Sequence, residues 1–376
     1  QDHVGGGFFR YSTDEQWMIP HFEKMLYDNA QLIALYAQAY ALSGEAAYRD
    51  TLLHAADWVM HDMQTASGGY CSALDADTDK VEGKTYVWTT EEIETLLSPA
   101  EYELCASKYN LREPANFEGK WHLHSRISNK QLASQLSLEV DELQQQLHSI
   151  QQKLLRHRNT RPQPGRDDKI LCAWNALMIR GMSLAGRRTQ QAIYIDSAAQ
   201  AADFIHQNLW KNQRLLASYK DGKAQLNAYL DDYAYLLLAL IELLQARWSN
   251  TCYQWALQIA DALLLHFEDN EQGGFYFTSH DHESLIYRSK TFADDAMPNG
   301  NAVAASALQQ LGLLCGNTTY LDAAERTLRR AYNSLSEQAI SHCSLLHALE
   351  QYLSPGISII LRGNSEQLAQ WKSITD

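Results

Sequence analysis

Apolar residues recur at helical spacing along most of this chain of 376 residues, and the links between the helices they predict are very short. Links such as Ser43-Gly44 and Ser249-Asn250 force neighbouring helices to lie antiparallel. The architecture is therefore predicted to be predominantly α, a series of helical hairpins. The predicted helices run at about 20–43, 45–65, 90–108, 128–158, 171–188, 190–210, 226–248, 250–268, 299–315, 318–340 and 342–353.

A repeated segment separates several of these hairpins. Two glycines and an aromatic residue open a short alternating stretch at Gly6-Gly7-Phe8, Gly68-Gly69-Tyr70 and Gly273-Gly274-Phe275. Some of the helices are apolar almost all round, whereas others, such as Tyr194 to Trp210, carry a single apolar stripe. Helices of the first kind belong inside and those of the second kind outside. We therefore predict an all-α fold, an (α/α)6 toroid of helical hairpins with short β-hairpin insertions.

Charge and composition exclude several classes of partner. The chain has 45 acidic and 31 basic residues, a net charge of −14 that repels phosphate backbones, so we expect no nucleic acid. The longest apolar run, Tyr233 to Ile241, is about half of what a membrane-crossing helix needs, so we expect no membrane partner. Six cysteines without C-x-x-C spacing are typical of reduced thiols, which favours a cytoplasmic location.

Polar side chains cluster where the predicted inner helices start, and in a toroid these starts surround one pocket. Carboxyl and imidazole groups there are suited to proton transfer, and amides, cations and aromatic rings are suited to binding a sugar. The candidate catalytic residues are His21, Asp28, Asp75, Asp77, Asp231, Asp232, Asp294 and Asp295. The candidate binding residues are Arg10, Lys24, Asn29, Asn175, Asn299 and Asn301, with Trp17 and Trp174 stacking on the ring.

Structural alternatives remain open for each group. If the helix begins at about residue 20, His21, Lys24 and Asp28 share one face, and Lys24 and Asp28 can equally form a structural ion pair. Two pairs of adjacent aspartates are Asp231-Asp232 and Asp294-Asp295, and helix capping can explain one aspartate of each pair. Turn carboxylates are the alternative for Asp75 and Asp77, and core packing is the alternative for the aromatic residues.

We predict neither a metal nor a cofactor. The run from Asp75 to Asp79 has oxygen ligands at alternating positions, but Lys80 and Tyr86 stand where a calcium loop needs glycine and glutamate. The pairs His122-x-His124 and His280-x-His282 lack a third ligand at a suitable spacing.

Several motifs resemble a known family. They are Gly5-Gly6-Gly7-Phe8-Phe9-Arg10-Tyr11-Ser12, Trp17, Pro20 to Ala30, Asp75-Ala76-Asp77, Glu82-Gly83, Asp167-Asp168-Lys169, Trp174-Asn175 and the segment from Asp294 to Asn301. Together they look like the family of spermatogenesis-associated protein 20 and its bacterial YyaL-type relatives. The resemblance implies a thioredoxin-like domain followed by a six-hairpin toroid similar to N-acylglucosamine 2-epimerases and six-hairpin glycosidases. On this basis residues 1–355 are the toroid, 356–376 begin a truncated C-terminal segment with a strand at 356–363, and the thioredoxin-like domain is absent from this sequence.

Two functions are compatible with these observations. The first is a carbohydrate-active enzyme, glycoside hydrolase-like or sugar epimerase- or isomerase-like, that acts on a small sugar or sugar-like ligand by metal-free carboxylate and histidine chemistry. An epimerase usually needs two imidazoles, yet the late inner-helix starts carry Asp231, Asp232, Asn299 and Asn301 where the epimerase-like relatives place histidines. The alternative is a non-catalytic ligand- or partner-binding module that serves the thioredoxin-like domain of full-length relatives.

Overall fold

The computed structural model describes residues 1–283, 285–361, 363, 368 and 371. Within them the chain forms thirteen α-helices: α1 (Leu26–Ser43), α2 (Ala46–Trp58), α3 (Thr90–Leu96), α4 (Pro99–Tyr109), α5 (Asn129–Leu136), α6 (Val140–Arg158), α7 (Cys172–Thr189), α8 (Ala192–Asn208), α9 (Leu230–Ala246), α10 (Asn250–Phe267), α11 (Gly300–Cys315), α12 (Thr318–Glu337) and α13 (Cys343–Leu353). A π-helical turn at Val59–Met63 follows α2, and a 3-10 turn at Ala339–Ser341 precedes α13. The predicted all-α class is confirmed.

The strands of the described residues are short. They are β1 (Lys24–Met25), β2 (Ala73–Leu74), β3 (Asp77–Thr78), β4 (Val81–Glu82), β5 (Arg166–Asp167), β6 (Ile170–Leu171), β7 (Trp210–Lys211), β8 (Arg214–Lys220) and β9 (Lys223–Asn227). All pairings are antiparallel: β1-β2-β5 form one sheet, β3 and β4 a hairpin, and β8 pairs with β6, β7 and β9. These pieces match the predicted short β insertions between helices.

The chain divides into two compact units, each of which is discontinuous in sequence. Unit 1 comprises Gln1–Asn29, Leu53–Met63 and Ser72–Asp168. Unit 2 comprises Ala30–Leu52, Gln64–Cys71 and Lys169–Asp376. The candidate site residues fall in both units, so each unit is described separately. The predicted domain bounds, 1–355 and 356–376, stay predictions.

Helices α3 to α6 enclose a core of their own in unit 1. On α6 the buried residues Leu143, Leu147, Ile150 and Leu154 recur every three or four positions, which gives the helix one apolar stripe. The predicted single helix at 128–158 is wrong, because Ser137 adopts a left-handed conformation with φ of 55° and ends α5. The α6 stripe then packs with Trp88 and Trp121 in one hydrophobic cluster.

Unit 2 contains the predicted alternation of helix types. Helix α9 is buried on all faces and packs against α7 and α11, which are also largely buried. Helix α12 instead buries a single stripe that includes Tyr320, Ala324, Thr327 and Ala331. The alternation follows from composition, since a helix with polar groups on one side loses stability when that side is removed from water.

Three further predictions differ from the structure. The predicted single helix at 90–108 is two helices, α3 and α4, because Leu97 is extended and Ser98 caps α4 ahead of Pro99. The first helix begins at Leu26 rather than near residue 20, because Lys24–Met25 pairs with Ala73–Leu74 as β1. The predicted strand at 356–363 does not form: residues 355–361 have no regular structure, and Arg362 lies outside the described residues. In the described part of the chain, the helices all fall short of the length and apolarity that crossing a bilayer requires.

Candidate functional site

Three of the amides predicted to bind sugar hydroxyls are hydrogen-bonded to the backbone. Each amide oxygen accepts the N–H of the aromatic residue in a Gly-Gly-aromatic segment, and each amide nitrogen donates to the carbonyl of the same residue. The pairs are Asn29 with Phe8 (2.7 and 3.0 Å), Asn175 with Tyr70 (2.8 and 2.9 Å) and Asn301 with Phe275 (2.6 and 3.0 Å). We call these three pairs the asparagine clamps. They are the structural basis of the repeat seen in the sequence.

The clamps saturate the asparagine side chains. Each amide nitrogen also donates to a second carbonyl, of Met25, Leu171 or Thr291, and all three asparagines are buried. An amide has two donor hydrogens and one acceptor oxygen. Both hydrogens and the oxygen are therefore engaged, and the clamps fix the inner-helix starts rather than leaving these groups free for a ligand.

At the start of α9 in unit 2, the two adjacent aspartates have different environments. The Asp232 carboxylate accepts the N–H of Ala173 at 2.9 Å and the N–H of Tyr229 at 2.8 Å, so it connects the starts of α7 and α9. Burial raises the pKa of Asp232 to about 7. Because both of its oxygens are bonded to backbone, Asp232 has a structural role here.

Asp231 lies one residue earlier and makes no side-chain hydrogen bond within the described residues. A Cβ added at Gly300 would clash with Asp231 Oδ1, so the carboxyl group lies directly against the first residue of α11. Its side chain is partly accessible, and burial raises its pKa to about 6. A carboxyl group with these properties can hold or release a proton near neutral pH.

Two other predicted residues of unit 2, Asp294 and Asn299, lie at the start of α11. Asp294 accepts the N–H groups of Asn299 (2.8 Å) and Ser344 (2.9 Å), and Asn299 caps α11 by accepting from the N–H of Asn301 at 2.9 Å. Asp295 is exposed. Trp174 is half-buried on the first turn of α7. Asp294 and Asn299 thus shape the helix start on which Asp231 rests.

In unit 1, Asp28 repeats the features of Asp231 on the first turn of α1. Its Oδ2 atom is buried without a hydrogen bond, and burial raises the pKa of the carboxyl group to about 6, with Arg10 opposing the shift and Glu23 adding to it. Arg10 donates to Glu23 Oε2 at 3.1 Å and bonds to the Tyr27 hydroxyl. The predicted residues Arg10 and Asp28 therefore lie in one cluster.

His21 lies next to this cluster. Its Nδ1 atom is 2.7 Å from Glu82 Oε1, and its ring stacks on Tyr11 with centroids 4.9 Å apart. The Nε2 atom is 3.8 Å from Glu23 Oε2. Neither Glu23 nor Glu82 is among the site residues predicted from the sequence. The motif Glu82-Gly83 was a usable signal for Glu82, since a Cβ at Gly83 would lie 2.7 Å from the Phe22 ring.

Lys24 is enclosed rather than presented to a ligand. Its side chain is 1% exposed, and its Nζ donates to Asp2 Oδ2 at 2.8 Å and to the Gly6 carbonyl at 2.7 Å. The rings of Phe9, Trp58 and Tyr86 surround the ammonium group, with centroids 5.0, 4.9 and 5.2 Å away. The prediction that His21, Lys24 and Asp28 share one helical face is wrong, because α1 starts after Lys24. The alternative pair with Asp28 is also wrong, since Lys24 pairs with Asp2.

The remaining predicted residues of unit 1 are on its surface. Trp17 is 84% exposed with φ of 57°, in a loop held by the Asp14 carboxylate, which accepts the N–H groups of Gln16, Met18 and Ile19. Asp75 and Asp77 are exposed, and Asp75 Oδ1 accepts the Asp77 N–H at 3.2 Å.

Among the described residues, no three or more histidine, cysteine, aspartate or glutamate side chains are grouped so that they could hold a metal ion. His122 is instead buried and packs edge-on against Phe9 and Phe22. Burial lowers its pKa to about 3, so the ring stays neutral as part of an aromatic cluster.

The chain matches curated proteins from animals. It is 34% identical over 359 residues to spermatogenesis-associated protein 20 from Homo sapiens, a match that covers 86% of this chain and 46% of the relative. Identity to the same protein from Mus musculus is 33% over 358 residues, with 86% and 45% covered. The chain thus spans about half the length of the curated relatives it matches. No protein-family profile matches it.

Solved structures share the fold at low sequence identity. A sugar epimerase from a ruminal bacterium superposes with a TM-score of 0.56 at 11% identity, covering 89% of this chain and 66% of that one. Cellobiose 2-epimerase from Bacillus thermoamylovorans also gives 0.56 at 11% identity, covering 94% and 81%. These neighbours are of the (α/α)6 toroid type, so the predicted fold family is confirmed. The predicted resemblance to the family of spermatogenesis-associated protein 20 is confirmed as well.

Proposed function

From this similarity to spermatogenesis-associated protein 20, and from a fold shared with sugar epimerases, we propose that the chain is a carbohydrate-active enzyme that transfers protons through carboxyl and imidazole groups. The observation that carries the proposal is the Asp231 carboxyl group. It is partly accessible, has no hydrogen bond within the described residues, and has a pKa of about 6. General acid–base catalysis needs a group that exchanges its proton near the working pH.

The neighbouring carboxylates support the choice of Asp231. Asp232 and Asp294 each accept two backbone N–H groups, so their oxygens are already bonded. A helix start stabilises a carboxylate and lowers its pKa, yet burial raises the pKa of Asp231. A polar group that is desolvated without a partner destabilises the fold. Such a group is expected where a ligand supplies the missing contacts.

Unit 1 has a carboxyl group of the same kind. Asp28 also has a pKa of about 6, caused by burial, and it lies in a cluster with Arg10 and Glu23. The Arg10 guanidinium has donors suited to sugar hydroxyls. Within unit 1 we therefore propose Asp28 as a proton-transferring group and Arg10 as a hydroxyl-binding group. Trp17, 84% exposed, is proposed as a stacking surface for the sugar ring.

The first prediction concerns activity. We expect Asp231→Asn to lower kcat/KM by about 100-fold or more on whichever sugar the protein converts, because general acid–base groups contribute at least about that factor. The assay incubates the protein with D-glucose, D-mannose, cellobiose and nitrophenyl glycosides in D2O. Deuterium incorporation, epimer formation and hydrolysis are each recorded.

The matched control for this experiment is Asp141→Asn, which changes an exposed aspartate in the first turn of α6. Its activity should equal that of the unchanged protein. No turnover of any sugar, together with tight binding of one of them or of a thioredoxin-like domain, would support the binding module instead. Turnover that survives Asp231→Asn would remove Asp231 from the mechanism.

The second prediction concerns stability and pH. The folded Asp231 has a pKa of about 6, above the value of about 3.9 of an unfolded aspartate. The native state therefore binds the extra proton, and stability falls as pH rises from about 4 to about 6. Asp231→Asn removes this titration. We expect the variant to be about 3 kcal/mol more stable than the unchanged protein at pH 7.5 and nearly equally stable near pH 4, as measured by urea denaturation.

The activity and the stability of the Asp231→Asn variant together distinguish a catalytic role from a structural one. A residue that serves only the fold loses stability when it is replaced, whereas a group kept for activity at the expense of the fold gains stability when it is neutralised. A variant that is less stable at pH 7.5 than the unchanged protein would therefore assign Asp231 a structural role.

A further inference from the structure

The pair of His21 and Glu82 has the geometry of a carboxylate that orients an imidazole. Glu82 Oε1 lies 2.7 Å from His21 Nδ1, and Tyr11 covers one face of the imidazole with an interplanar angle of 19°. An ionised carboxylate accepts hydrogen bonds and cannot donate them. The Nδ1 atom must therefore be the donor, which fixes the position of the proton in the neutral ring.

We infer that Glu82 is a positioning residue that accepts the Nδ1 proton of His21, so that Nε2 is the base that takes a proton from the carbon next to the carbonyl group of an aldose. The inference rests on the proposed function and narrows it to one class of reaction, the isomerisation of an aldose to a ketose.

The backbone that carries Glu82 is held by hydrogen bonds. The residue lies on β4, in register with Asp77 of β3, and the next residue, Gly83, donates its N–H to the Ala76 carbonyl at 3.0 Å. Glu82 Oε1 also accepts the backbone N–H of Phe22 at 3.4 Å. These contacts fix the position from which the Glu82 side chain reaches His21.

The other nitrogen of His21 is available to a ligand. Within the described residues it has no hydrogen bond, because the 3.8 Å to Glu23 Oε2 exceeds hydrogen-bond distance. The Glu23 carboxylate is itself paired with Arg10 at 3.1 Å. The His21 side chain is 26% exposed, so that a substrate can approach Nε2 from solvent.

The charged groups that face His21 are Glu82 on β4, Glu23 before β1 and, through Glu23, Arg10. Tyr11 supplies the stacking face. Once Nε2 has taken a proton, the imidazolium lies between two carboxylates, which stabilise its positive charge. The carboxylates thus stabilise the His21 imidazolium as it forms during the proton transfer.

The step balances without a further reactant. The lone pair of Nε2 forms an N–H bond while the substrate C–H bond breaks, and the freed electron pair moves to the carbonyl oxygen as an enediolate. The imidazolium then returns its proton to the neighbouring carbon on the same face of the enediolate, while the proton of the 2-hydroxyl group passes to the oxygen on C1, so that the product is the ketose. In D2O the returned proton is exchanged for deuterium, so that the product carries a label.

The first test does not depend on activity. In 15N NMR spectra at a pH where His21 is neutral, we expect the protonated-nitrogen shift at Nδ1 and the unprotonated shift at Nε2. Glu82→Ala should shift the proton toward Nε2, whereas Glu91→Ala, at an exposed residue in the first turn of α3, should not. A proton on Nε2 in the unchanged protein would overturn the inference.

The second test measures turnover of D-glucose, D-mannose and cellobiose in D2O. We expect Glu82→Gln to lower kcat by about 10- to 100-fold with little change in KM, a range typical of residues that orient another side chain, and Glu82→Asp to recover part of the loss. Glu91→Gln is the control. Equal kcat for Glu82→Gln and the unchanged protein, or hydrolysis without deuterium at carbon, would overturn the assignment of the base. No turnover of any sugar would instead reject the proposed function, and the NMR result would still decide the orientation of His21.

Discussion

Lys24→Met is expected to lower the free energy of unfolding by about 3–5 kcal/mol, the cost of removing one partner from a buried ion pair. The Lys24 ammonium donates to Asp2 and to the Gly6 carbonyl, and three aromatic rings surround it. Methionine fills a similar volume but supplies no charge. Asp2 would keep Arg158, which donates to both of its oxygens at 2.9 Å, but would lose its second cation.

The matched control is Lys84→Met. Lys84 forms an ion pair with Asp79 at 2.8 Å, but the side chains of both residues are largely exposed. Exposed pairs contribute about 0–1 kcal/mol. Urea denaturation measures the change in the free energy of unfolding for each variant. If Lys24→Met loses no more of this free energy than Lys84→Met, the assigned role of the buried cluster is contradicted.

The asparagine clamps predict the second large effect. Asn175→Ala leaves the N–H and carbonyl of Tyr70 and the carbonyl of Leu171 without their partner in a buried position. Each unsatisfied buried group costs about 1–3 kcal/mol. We expect a loss of about 3–4 kcal/mol in the free energy of unfolding, together with faster hydrogen exchange at the Tyr70 amide.

Asn208→Ala provides the comparison for this clamp. Asn208 donates a single hydrogen bond, to the Phe204 carbonyl in its own helix, and is half-buried. Its replacement should cost less than about 1 kcal/mol. A similar loss for the two variants, or an unchanged exchange rate at Tyr70, would show that the clamp does not hold the Gly-Gly-aromatic segment.

Much of the fold follows from patterns within the sequence. The apolar spacing predicted the hairpins, and the composition predicted which helices are buried on all faces, such as α9, and which carry one stripe, such as α12. The errors have long-range or subtle local causes. The start of α1 depends on pairing between Lys24–Met25 and a strand about fifty residues later. The break at Ser137 depends on a left-handed residue that is neither glycine nor asparagine.

The site was predictable in outline only. The sequence identified aspartate pairs at helix starts, but nothing local separates Asp231 from Asp232. Their difference arises because Ala173, 59 residues away in sequence, donates to Asp232. The same limit applies to Asn175, whose partner Tyr70 is 105 residues away. Glu82 was part of a recognised motif, yet its role depends on the approach of His21 from 61 residues away.

The asparagine clamps also bear on the order in which the chain assembles. Two of them join residues 21 and 26 positions apart, whereas the one between Tyr70 and Asn175 spans 105. Closing the longest loop costs about 1.4 kcal/mol more conformational entropy than closing the shortest. The two short-range clamps can therefore form early in folding. The long-range clamp forms late because it joins segments that are distant in sequence. We therefore expect formation of the clamp between Tyr70 and Asn175 to limit the rate at which this chain refolds.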